Sequence, residues 1–186
     1  MKKYYFILCS LILSGLFFSN VFAQSKSNEK KVTISYTWSK ISTNGSNQLA
    51  VWVENQKGNY ICTLFATRYT AKGGYIKRPL SLSEWTSKFN LKNATQEEVD
   101  AITGATQASG KQILTWNCKD KAGNPVSKGT YIIRMEANIL NADKMFYTGE
   151  IKVGGKSGKA KGEITFSKPS LANGKVLFKD VLVEYK

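Results

Sequence analysis

The run Val32-Thr33-Ile34-Ser35-Tyr36-Thr37-Trp38 alternates apolar and polar residues without a break. A period of two sends alternate side chains to opposite sides of an extended backbone, so the run is a strand with one buried face. The signature recurs along the chain. Gln48–Glu54 places Leu49, Val51 and Val53 on one face and Ala50 and Trp52 on the other. Tyr60–Tyr69 is apolar on both faces, which suits a central strand. Lys111–Trp116, Thr130–Leu140, Met145–Val153, Glu163–Ser167 and Val176–Tyr185 read as further strands. Turn chemistry separates them: Ser42–Asn47, the hairpin turn Asn55–Asn59 and the wide turn Asp120–Gly129. About eight or nine short strands spaced by turns predict an all-β chain, an antiparallel sandwich closed around one core.

Two stretches break the strand period. After Lys72-Gly73-Gly74, the run Ser81-Leu82-Ser83-Glu84 has capping-box spacing and is followed by Trp85 and Phe89 at helical spacing. This predicts a short helix that packs Trp85 on the sandwich; the alternative is that Trp85 stacks on a planar cofactor. The second stretch, residues 90–110, is a long insertion, and insertions of that length in compact domains tend to carry function. Within it Thr95-Gln96-Glu97-Glu98 is another capping box, so a helix should run from about Gln96 to about Ile102. Gly104 is placed to end it in the left-handed conformation of a helix C-cap. Asp100 then falls in the last turn, where the helix dipole disfavours a negative charge. A residue that breaks a local rule points to a functional reason.

The N-terminus decides the compartment. Lys2 and Lys3, an apolar run from Phe6 to Phe18, and Val21-Phe22-Ala23 before Gln24 make up a secretory signal peptide over residues 1–23. The apolar run is too short for a membrane span, and Cys9 lies inside it rather than at its end, which excludes lipidation there. The chain is therefore expected in the periplasm or outside the cell, without stable membrane insertion. Residues 24–31 read as a disordered polar leader and residues 32–186 as a single domain. Removing Lys2 and Lys3 takes the formal net charge from +14 to +12. That charge suits anionic partners or simply keeps a sandwich surface soluble; the scattered lysines favour the latter. The densest run, Lys152–Lys161, reads as a hairpin loop. An exported chain with no recognition motif is not expected to bind nucleic acid.

The chain has no histidine. That removes His-dependent triads, His-ligated haem and the usual zinc enzyme sites, and no haem or iron–sulfur cysteine spacing is present. No resident metal is expected. The mature chain keeps Cys62 and Cys118, which an oxidising compartment permits to join but which stand equally well as buried thiols.

Asp100-Ala101-Ile102-Thr103-Gly104-Ala105-Thr106 resembles the acceptor motif of bacterial flavin transferases, Asp-x-x-(Ser/Thr)-Gly-Ala-(Thr/Ser). These enzymes attach FMN covalently to exported redox proteins. The resemblance implies that Thr106 is the FMN acceptor and that Asp100, Thr103, Gly104 and Ala105 are recognised by the transferase. The residue types fit the chemistry: a hydroxyl must attack phosphorus, and small neighbours let a bulky flavin approach the backbone. Further on, Trp116, Asp120, Gly123-Asn124-Pro125-Val126 and Gly129-Thr130-Tyr131 resemble a hairpin of Ig-like domains of the flagellar hook-cap type. Together the two resemble a family of predicted periplasmic proteins of unknown function associated with flavin transferases, over about Gln48 to Val153. The resemblance implies an Ig-like β-sandwich with two short helices in insertions, acting as a flavoprotein in extracytosolic electron transfer with an envelope redox partner. No substrate-processing residues stand out, so a carrier is expected rather than an enzyme. The competing expectation is a colourless Ig-like binding or structural module for a glycan or protein of the cell envelope.

Overall fold

A computed structural model of the chain describes residues 30–42, 46–140, 142–170 and 176–186. The expected signal peptide and most of the leader lie outside the described residues.

Ten strands form two sheets. They are β1 (Val32–Trp38), β2 (Gln48–Asn55), β3 (Tyr60–Thr67), β4 (Thr103–Gly104), β5 (Gly110–Trp116), β6 (Gly129–Leu140), β7 (Asp143–Val153), β8 (Gly158–Lys159), β9 (Lys161–Phe166) and β10 (Phe178–Tyr185). One sheet has the order β5-β1-β10-β8 and the other β4-β3-β2-β6-β7-β9. The alternation in β1 is realised residue by residue: Val32, Ile34, Tyr36 and Trp38 are buried and the residues between them are not. They meet Leu49, Val51 and Val53 of β2, Ile133 and Met135 of β6, and Val183 of β10 in one core shared by both sheets.

The second apolar face of β2 and β3 has a different cause from the one the sequence suggested. β3 is not central; only the two-residue β4 lies beyond it, and that pair is parallel (Ala66 opposite Thr103, Thr67 opposite Gly104), so the sheet is mixed rather than purely antiparallel. Its outer face is apolar because helices cover it. Ala50, Trp52 and Ala66 pack there against Leu82, Trp85, Leu91 and Val99, a second core outside the sandwich. The helical layer holds more pieces than the two expected helices. A kinked turn over Thr70–Gly74, non-helical at Lys72 and Gly73, leads into α1 (Tyr75–Lys77), followed by α2 (Ser83–Phe89), a 3-10 turn over Leu91–Asn93, and α3 (Gln96–Ile102).

Within α2 the expected capping box does not form. The Ser81 hydroxyl lies 3.3 Å from the Thr70 hydroxyl, and Leu82, fully buried with φ of 49°, occupies the cap position. The free N–H groups of the helix start are instead satisfied from β6: Leu82 N donates to Asn138 Oδ1 (2.6 Å) and Trp85 N to Glu136 Oε2 (3.0 Å). Glu136 is fully buried and its other oxygen stands 3.0 Å from Lys144 Nζ, which also donates to Ser83 Oγ. Burial pushes the Glu136 carboxyl above its ordinary range, against the pull of the Trp85 N–H and Lys144.

The run Lys152–Lys161 is more than a hairpin loop. Its Gly158–Lys159 pairs with Glu184 and Tyr185 in the four-stranded sheet before β9 returns to the six-stranded one. This link therefore ties the two sheets together.

Candidate functional site

Helix α3 forms as its sequence requires. Thr95 Oγ1 accepts from Glu98 N (3.2 Å), and Glu98 Oε2 accepts from Thr95 N (2.9 Å), the reciprocal capping box. Val99 is buried against the outer face of the sheet, with Ile102 packed beside it.

Asp100 does have a local compensation. Gln96, one turn earlier, donates Nε2–H to Asp100 Oδ2 (2.9 Å), and Lys72, from the kinked turn after β3, forms an ion pair with Oδ1. These two partners, Gln96 first, hold the carboxyl below its ordinary range. The unfavourable helix dipole is offset by an external cation, and the carboxylate is turned toward Lys72. Spacing along the helix made Gln96 legible in the sequence; Lys72 carried no signal, because only the fold brings it to α3.

Gly104 does not end the helix in a left-handed conformation. α3 stops at Thr103, whose backbone is extended (φ −97°, ψ 140°), and Thr103 and Gly104 go straight into β4. The glycine is required for packing: a Cβ there would lie 2.6 Å from Phe65 Cε2. Thr103 is half-buried by this pairing, while Ala105 is exposed. Thr106 is half-buried in the irregular link that follows, and among the described residues nothing holds its hydroxyl by a hydrogen bond. The link is anchored on its far side. Tyr36 donates its hydroxyl to Gln107 Oε1 (2.7 Å), and Ser109 Oγ accepts from Lys40 N (2.9 Å). Burial pushes the Tyr36 hydroxyl up to about 12, so it remains a donor throughout the physiological range. Thr106 thus sits between two fixed points, β4 and the Tyr36–Gln107 bond, with short residues before it.

On the other side of α3 lies a cleft of about 470 Å³. It is lined by Glu97, Glu98, Ala101 and Ile102 of α3, by Tyr60 and Cys62 of β3, and by Trp116 and Asp120. Its volume is that of a small-molecule site. β4 runs parallel to β3 at Ala66 and Thr67, beyond the Tyr60–Leu64 stretch that lines the cleft, so the chain carries Thr106 away from it. No motif or spacing in the chain marked this cleft. Trp85 faces neither site; it is fully buried, its ring stacked on Phe89 at 5.4 Å and its Nε1–H donated to Thr63 Oγ1 (2.9 Å), which makes it a core residue.

Among the described residues no group of His, Cys, Asp or Glu is arranged to hold a metal ion, and no helix is long and apolar enough to cross a membrane. No curated protein and no solved structure matches the chain. Residues 29–167 match the model of a family described as "Predicted periplasmic protein (DUF2271)". That span takes in the first nine strands and the whole helical layer, including Thr106, and the chain belongs to this family of predicted periplasmic proteins.

Proposed function

We propose that this protein is an exported flavoprotein that carries FMN in phosphoester linkage on Thr106 and relays electrons outside the cytoplasm. The observation that carries the reading is the setting of Thr106: a hydroxyl without a hydrogen-bond partner among the described residues, preceded by Gly104 and Ala105 and set in a link pinned at both ends. The residue type fits the group, since attachment needs a hydroxyl and Thr106 is only partly buried.

Thr106 Oγ would hold the FMN through a phosphoester, a linkage that exchange with the pyrophosphate of FAD on a flavin transferase would supply, with AMP as the leaving group. Asp100, Thr103, Gly104 and Ala105 present the acceptor. Asp100 acts through its place on the helix, because its carboxylate is held by Gln96 and Lys72. The chain positions the attachment point, and the flavin supplies the redox chemistry when bound. The sandwich is read as Ig-like; Tyr131 OH bonded to Ser127 O (2.7 Å) and the edge contact of Tyr131 with Trp116 (5.2 Å) support that reading.

The test is mature protein co-expressed in the periplasm with a flavin transferase from the native host. The expected result is flavin fluorescence on the denatured gel band and a mass gain of one FMN less water. Both should be lost in Thr106→Ala and kept in Thr106→Ser. A dark, unmodified band beside an active transferase would leave the binding-module reading in its place.

A further inference from the structure

Cys62 and Cys118 come from different sheets and are both free thiols in the structure, Cys62 within the shared core and Cys118 packed against it. Cys62 lies on β3 in the six-stranded sheet, opposite Val53, with its side chain in the shared core and 8 % exposed. Cys118 follows β5 of the four-stranded sheet and packs against that core from its edge. Its φ is 58°, in the left-handed region that residues with a Cβ rarely adopt. The wide turn beyond it holds that conformation: Val126 N donates to Cys118 O (2.9 Å), Lys119 bridges Pro125, and Asp120 N donates to Asn124 O (2.9 Å). The turn then leans on β3 directly, Lys121 N donating to Ile61 O (3.0 Å), the residue next to Cys62. Cys62 lines the cleft together with Asn117 and Lys119, the two neighbours of Cys118. Burial first, then Asp120 and the Cys118 thiol beside it, push the Cys62 thiol up to about 12.

We propose that Cys62 and Cys118 form an intramolecular disulfide in the exported protein, stapling the two sheets beside the cleft. The oxidant is a disulfide carried by a thiol–disulfide exchange protein of the exported compartment. Cys118 attacks one sulfur of that disulfide and expels the other as thiolate. Cys62 Sγ then attacks Cys118 Sγ; the Cys62–Cys118 bond forms as the mixed disulfide breaks. The two thiol protons and two electrons end on the departing dithiol. A thiol as buried as Cys62 is a poor nucleophile, so the second attack belongs to the chain before its core closes, when both thiols are exposed and ordinary. Protein folded first under reducing conditions is therefore trapped as two thiols.

The experiment compares full-length chain exported to the periplasm with the mature chain made in a reducing cytoplasm. Both are unfolded in an alkylating agent without reductant, weighed intact, and digested without reduction. The exported protein should take up no label and yield one linked peptide pair containing Cys62 and Cys118. The cytoplasmic protein should be labelled at both. Cys62→Ser and Cys118→Ser should each leave the remaining cysteine open to label. The exported protein should also melt about 10 °C above the same protein after reduction, as expected for closing so long a loop. Two labels on the exported protein, or linkage found only between separate chains, would overturn the proposal. None of these readouts depends on flavin.

Discussion

Among single residues, Gly104 shows how a glycine can be read for the wrong cause. Position and residue type suggested a C-cap, but its φ is ordinary and what it lacks is space beside Phe65. Gly104→Ala should therefore destabilise by about 1–2 kcal/mol through overpacking. In a Phe65→Leu background the same change should cost markedly less, a coupling that urea unfolding of the four variants measures directly. Equal costs in both backgrounds would return Gly104 to a conformational role. Asp100 makes the same point about charge. Its conflict with the helix dipole was legible, but the partner that relieves it, Lys72, comes from a segment that only the fold brings near.

The two main helices were both visible as elements, but their starts obey different rules. α3 is capped by its own sequence, Thr95 and Glu98, and its capping box was readable. α2 offers a similar pattern at Ser81–Glu84, but Ser81 is drawn into a bond with Thr70 and the cap comes from Glu136 and Asn138 on β6. The consequence is energetic. Glu136→Ala strands Lys144 beside the helix start and removes the acceptor of Trp85 N, and should cost about 3 kcal/mol by chemical denaturation. Lys144→Met alone should also destabilise. The double variant Glu136→Ala/Lys144→Met should cost less than the sum of the two, because it leaves no buried charge unpaired. Additive losses would mean that the pair is not coupled.

Over the whole molecule, the charged groups set the pH response. Glu98, Asp100, Asp120 and Glu184 all hold their protons less tightly when folded than when unfolded, owing chiefly to hydrogen bonds from Thr95 N, Gln96, Asn124 N and Lys186 respectively. Their contribution is complete above the ordinary values of 4.5 for Glu and 3.8 for Asp, and is lost as pH falls through the lower folded values. Glu136 runs the other way. Its carboxyl is raised by burial, so its contribution is full below 4.5 and declines as pH rises through the folded value. With four groups against one, the urea midpoint should be lower at about pH 3 than at about pH 6. A midpoint that rises on acidification would mean that Glu136 dominates the balance.

The sequence by itself determined the eight longer strands but not the two-residue β4 and β8, because the period of two is local and needs several residues with a water-excluding face to act on. β1 runs from Val32 to Trp38 as read, and the inner faces of β2 and β6 follow the same rule. It also determined α3 and marked out Thr106 by motif. The tertiary structure decided which strands became neighbours, that β4 joined β3 in parallel, and that a helical layer covered the outer face of the six-stranded sheet. It alone placed Lys72 on Asp100, Glu136 under α2, Gln107 on Tyr36, and Cys62 beside the turn that begins at Cys118. Each of these joins residues far apart in the chain. Local periodicity reports which face of a segment avoids water and says nothing about which distant group will meet it there.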